Sequence, residues 1–121
     1  MFRVEERKSD DWIVLDITGR IQAGGADVVL KDKVNSLVQQ GYRNILLNLQ
    51  GVPGVDSIGL GALITAKMAV ERLGGRLELV HLTKRIRDLV LISGLTFYFC
   101  TFDSEQEAMA TANRQHVVAA T

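Results

Sequence analysis

The chain has 121 residues, 47% hydrophobic and 23% charged, which fits one domain with a single packed core and excludes a disordered polar chain. Its 14 lysines and arginines are balanced by 14 aspartates and glutamates, so no basic surplus exists to hold a nucleic acid or an anionic membrane. A single cysteine, Cys100, excludes an internal disulfide and suits a reducing compartment. Residues 1–8 lack the apolar centre of a signal peptide, and no apolar run approaches the length of a membrane span. A cytoplasmic protein is the expectation.

Phe2 and Val4 alternate with charged residues through Glu6, which predicts a short first strand. Ser9-Asp10-Asp11 supplies turn chemistry before the β-rich run from Trp12 to Thr18, so the two strands read as a hairpin. Residues 19–25 read as a loop. From Ala26 the apolar positions Leu30, Val34, Leu37 and Val38 fall at helical spacing, with Gly41 as the stop. Ile45, Leu46 and Leu47 are apolar on both faces, as an interior strand covered on each side requires. A Gly/Pro loop follows, then a helix from about Ile58 to Leu73, stopped by Gly74-Gly75.

Leu77, Leu79 and Val80 predict another strand. Thr83 caps a helix carrying Ile86, Leu89 and Val90, and Ser93-Gly94 ends it. Phe97 to Phe102 reads as a last strand that buries Cys100 among aromatic neighbours. Asp103 with Gln106 reads as the capping box of a final helix through Ala112. The order ββαβαβαβα implies an α/β fold: a mixed, mostly parallel sheet of four to five strands with about four helices. Residues 1–113 form the domain, and residues 114–121 read as a tail without a firm pattern.

Function concentrates between Asn48 and Gly61. The interior strand delivers Asp56-Ser57 to a helix start, and Gly59 and Gly61 sit in the first turn, each at about 1 kcal/mol relative to alanine. Two such glycines suggest a close approach to the backbone. Ser57 has two readings: an ordinary N-cap, or a hydroxyl that another molecule reaches. In the helix that follows, Leu63, Ala66, Val70 and Leu73 share one stripe, the expected core face. Leu60, Ile64 and Met68 form a second stripe, either buried by loops or open to a protein partner.

These residues resemble the STAS domain of the anti-sigma factor antagonist type, from Val4 to Ala112. Asp56-Ser57-Ile58-Gly59-Leu60-Gly61 matches the family's D-S-x-G-L-G. Gly19-Arg20-Ile21, Leu47-Asn48-Leu49, Gly74-Gly75-Arg76-Leu77, Ser93-Gly94-Leu95 and the segment from Asp103 to Ala108 support it. The resemblance implies partner switching, with Ser57 as the phosphorylation site. The unmodified antagonist binds an anti-sigma factor serine kinase and releases a sigma factor. The kinase, carrying its own ATP and Mg²⁺, phosphorylates the serine, and a phosphatase of the PP2C class resets it.

The implied docking residues are Asp56, Ile58, Gly59, Leu60, Gly61 and Ile64, with Gln22 and Gly24 from the loop after the second strand. The chain departs from the pattern at Gln22, where an acidic residue is common, and at Ile58, where a second serine is common. The domain itself is expected to hold no cofactor and no metal, to be a monomer or weak dimer, and to touch neither nucleic acid nor membrane. The alternative is a STAS scaffold or regulatory subunit, of a stress-sensing or lipid-transport complex, that is never phosphorylated. Nucleotide binding has less support, since Gly59-x-Gly61 lacks a third glycine and no P-loop occurs. An enzyme has least: His81 and His116 form no metal spacing with Cys100, and no nucleophile motif is present.

Overall fold

The computed structural model describes residues 2–95, 98, 99 and 101–110. Strand β1 (Arg3–Ser9) pairs antiparallel with β2 (Trp12–Thr18) across a tight turn in which Asp10 takes a positive φ of 53°. Aspartate tolerates that conformation better than most residues. β1 runs three residues further than its alternating pattern reached, because Arg7 and Lys8 pair in register with Val14 and Ile13. Then come helix α1 (Ala26–Gln39), β3 (Asn44–Gly51), helix α2 (Ser57–Glu71), β4 (Arg76–Val80), helix α3 (Lys84–Ile92) and β5 (Thr101–Phe102). Residues 105–110 are helical again.

The sheet order is β1-β2-β3-β4-β5, and every pair after the hairpin is parallel. Right-handed crossovers in a sheet that advances in one direction put successive helices on the same face. Ile13, Leu15, Ile45, Leu47, Leu77 and Leu79 accordingly share one core with inward residues of α1, α2 and α3. The alternate strand positions Trp12, Val14, Leu46 and Val80 meet Phe102 and Ala108 on the other face. β3 is thus covered on both sides, as its uninterrupted apolar run requires. The parallel strands all point their carboxyl ends at one rim. The loops at 19–25, 52–56 and 81–83 gather there, where α/β sheets bind what they bind.

Several expectations are corrected. The last strand is only Thr101–Phe102; Tyr98 and Phe99 turn back instead, their N–H groups donating to the Leu95 carbonyl at 2.9 and 3.0 Å. Phe99 reaches the core from that turn. Phe97, Cys100 and the tail lie outside the described residues. The final helix is capped by Ser104, whose hydroxyl accepts the Glu107 N–H at 3.1 Å, one residue later than the expected Asp103–Gln106 box. Leu73 is half exposed, because α2 stops at Glu71 and its core stripe ends with it.

Lys67 occupies the core stripe beside Leu63, Ala66 and Val70, and is buried. Its ammonium donates to the Leu77 carbonyl at 3.0 Å, at the part of β4 that β5 does not cover, since β5 pairs only with Leu79 and Val80. The lysine satisfies an edge carbonyl and blunts an open strand.

Candidate functional site

α2 begins where the β3 loop crosses the loop after β2. Ile21 forms a parallel bridge with Val55, its N–H donating to the Gly54 carbonyl at 3.1 Å and its own carbonyl accepting the Asp56 N–H at 3.2 Å. The segment expected to be plain loop therefore contains a fully buried residue that extends β2–β3 pairing past Thr18 and Gly51. It holds the start of α2 in place.

Asp56 is the N-cap. One carboxylate oxygen accepts the Gly59 N–H at 2.7 Å and the other the Ala23 N–H at 3.0 Å, so a single side chain closes the helix end and fastens it to the β2–α1 loop. Those two N–H groups, Gly59 first, hold the Asp56 carboxyl below the usual carboxylate range. The capping reading of Ser57 is thereby overturned: Ser57 is the first helical residue, exposed, with the cap made by its neighbour.

The two glycines have different reasons. A methyl group at Gly59 would overlap the carbonyl of Ile21, so this glycine serves the chain's own packing and not the approach of another molecule. Gly61 is exposed and faces open space. Ser57, Gly61, Ile64 and Met68 recur at i, i+4, i+7 and i+11, one outward face of α2. Along that face a hydroxyl is followed by bare backbone, a half-buried isoleucine and a half-exposed methionine. Ile58 stands beside it, 52% exposed. Leu60 is turned further inward and packs against the core.

Gln22 and Gly24 lie on the same rim, lining a depression with Phe2, Ala26 and Val29. Gln22 also lines a groove with Asp56, while Gly59 lies beneath the helix surface and Leu60 packs to its side. Asn48 lies apart, donating to Asp16 at 2.8 Å on the other face of the sheet. Among the described residues no group of three or more His, Cys, Asp or Glu side chains is placed to hold a metal ion, and no helix is long and apolar enough to cross a membrane.

Sequence reasoning places Arg20 and Ile21 in the Gly19-Arg20-Ile21 match but assigns neither a role at the site. Ile21 carried a usable signal, an isolated β-branched apolar residue between polar neighbours. Arg20 carried none: its guanidinium lies against Gly54, where a Cβ would stand 2.8 Å from Nη1, and only the fold creates that contact.

Residues 3–108 match the family described as STAS domain. Over 92 residues the chain is also 33% identical to the anti-sigma-B factor antagonist of Bacillus subtilis, covering 76% of this chain and 83% of that protein. The chain belongs to the STAS domain family, in its anti-sigma factor antagonist group. The same fold occurs in the anti-sigma factor antagonist SpoIIAA in its unphosphorylated form, with a TM-score of 0.69, 20% identity and coverage of 94% of this chain and 98% of that one. The phosphorylated form of SpoIIAA, a Bacillus cell fate determinant, superposes with a TM-score of 0.68 at 22% identity, over 93% of this chain and 99% of that one. This STAS domain is thus as similar in fold to the modified SpoIIAA as to the unmodified one.

Proposed function

We propose that this STAS domain, unmodified at Ser57, binds an anti-sigma factor serine kinase and so frees a sigma factor, and that phosphorylation of Ser57 ends the binding. The observation that carries the reading is the division of labour at the start of α2. Asp56 does the capping, and the adjacent hydroxyl stands exposed without that duty. The kinase supplies ATP and Mg²⁺, and a PP2C-class phosphatase restores the hydroxyl.

The physical consequence of modification follows from position. A phosphate adds about −1.5 to −2 charge at a helix N-terminus, where the dipole favours anions, so α2 stays folded. At a docked surface the same dianion sits beside ionised Asp56 and the apolar Ile58, and desolvating it without a partner costs several kcal/mol. A penalty of about 4 kcal/mol is roughly a thousandfold in affinity. Charge exclusion, not unfolding, is the switch.

The test pairs Ser57→Ala with Ser57→Asp against an anti-sigma factor serine kinase of the same organism. The alanine variant is expected to bind and to accept no phosphate; the aspartate variant is expected to melt like wild type and bind poorly. Tight binding by the aspartate variant sinks the charge-exclusion mechanism. Docking without any phosphate transfer to Ser57 would make the domain a scaffold.

A further inference from the structure

We propose that the outer edge of β1 docks a second copy of this chain, the two first strands pairing antiparallel about a two-fold axis at Glu6. The site shares no residue with the Ser57 rim and does not depend on that reading. β1 ends the sheet and has β2 as its neighbour on one side only. Ser9 pairs with Trp12 across a two-residue turn, so these two exchange both ladder bonds. The exchange recurs at every second pair: Arg7 with Val14, Glu5 with Asp16 and Arg3 with Thr18. The backbone N–H and C=O groups of Val4, Glu6 and Lys8 therefore point away from the sheet, and no strand among the described residues takes them.

Open edges are commonly closed by short strands, proline, bulges or repelling charges. β1 has seven residues, no proline and an unbroken register with β2. It does carry charges, but their order suits a like strand. Glu5 and Arg7 stand one residue either side of Glu6, the middle of β1, with opposite signs and on the same face.

Charge selects the occupant. Two-fold pairing along the full strand sets Glu5 of each copy opposite Arg7 of the other, and Arg3 opposite Ser9. On the face covered by α1, Lys8 lies opposite Val4, its stem over the valine. Glu6 there meets its own counterpart, but Lys33 of α1 already pairs with it and Lys8 of the other copy lies diagonally across. The outward groups of residues 4, 6 and 8 supply about six backbone hydrogen bonds between the strands. Slipping the strands by two residues is worse either way. One slip sets Glu5 against Glu5 and Arg3 against Arg7; the other sets Arg7 against Arg7. A second copy thus provides both halves of each favourable pair, which an unrelated strand does only by coincidence.

Sedimentation equilibrium of the full chain is expected to show a reversible dimer with a dissociation constant of about 100 μM, as suits a small interface. As the dimer forms, the amides of Val4, Glu6 and Lys8 should gain protection from exchange. A mixed sample of isotope-labelled and unlabelled chain should give an NOE between Hα of Glu5 and Hα of Arg7 across the two copies. Glu6→Pro removes an N–H that β2 does not use; it should melt as a folded domain and associate at least about tenfold more weakly. Glu5→Lys places a cation opposite Arg7 and should weaken association likewise, which keeps the test open should proline disturb β1. A chain that stays monomeric through about 1 mM, a dimer indifferent to Glu5→Lys, or intermolecular contacts away from residues 3–9 overturns the proposal.

Discussion

The Lys67 ammonium lies 3.4 Å from Oε1 of Glu78, and the two side chains are only 5% and 2% exposed. Arg76 takes the other oxygen of Glu78 at 3.1 Å, and Glu71 reaches Lys67 at 3.1 Å from one turn further along α2. The rings of Tyr98 and Phe99 stand 5.6 and 5.7 Å from the same ammonium. One lysine therefore joins α2, the edge of β4 and the turn after α3. Lys67→Met should destabilise the domain by about 3 kcal/mol, since an edge carbonyl loses its side-chain donor and the buried Glu78 carboxylate keeps only Arg76. Adding Glu78→Leu should recover part of that loss. Urea denaturation of the two single variants and the double variant reads the coupling, and strictly additive losses would show that the pair is not one unit.

The two motif glycines should separate cleanly. Gly59→Ala drives a methyl into the Ile21 carbonyl and should cost about 3 kcal/mol, the upper end for overpacking against backbone. Gly61→Ala meets open space in a helix and should raise stability by up to about 1 kcal/mol. The same added methyl stands on the outward face with Ser57 and should weaken kinase docking. Thermal melts and a binding titration of both variants check the pair.

Acid should loosen the start of α2. The folded carboxyl of Asp56 is held below its unfolded value by the Gly59 and Ala23 N–H groups. Its contribution is therefore complete above the ordinary carboxylate range and is lost as pH falls through the folded value. Asp56→Asn retains a capping oxygen but cannot accept both N–H groups, and it does not titrate. Wild type should exceed this variant in stability near neutral pH, with the difference shrinking in acid. A constant difference across that range would assign the cap no ionic component.

On the far face, Arg7 donates to Asp16 at 2.6 Å and to Glu105 at 2.5 Å, tying the hairpin to the helical segment 105–110. The Arg7 bond, with help from Asn48, holds the Asp16 carboxyl low. Arg7→Ala should raise the Asp16 titration midpoint and speed amide exchange across 105–110. The stability change should stay under about 1 kcal/mol, because the cluster is partly exposed. Carboxyl-detected NMR and hydrogen exchange measure both effects.

Wherever periodicity and capping agreed, the sequence was enough. The hairpin, α1 with its Gly41 stop, and the doubly covered β3 all follow from spacing and turn residues. The Asp56–Gly61 motif lies on the rim where the parallel strands end, but the role of each residue within it depended on a crossing that spacing does not encode. Ile21, far off in sequence, decides why position 59 is glycine and lets Asp56 cap. By spacing Lys67 lies near the join of the two α2 stripes, and its burial is explained by the Leu77 carbonyl that its ammonium satisfies, a partner spacing does not reveal. The aromatic run before Phe102 reads as strand by composition, yet Phe99 reaches the core from a turn.

The contact between Ile21 and Gly59 makes the motif's foundation rigid. With a strand carbonyl seated against the first turn, the helix has no slack in which to shift when its surface is modified. On the proposed switch, a phosphate at Ser57 would stay a local mark, legible only to a protein that touches it. Such a relay would have no moving parts, and its tempo would belong to the enzymes that write and erase the mark and to the lifetime of the complex it forbids.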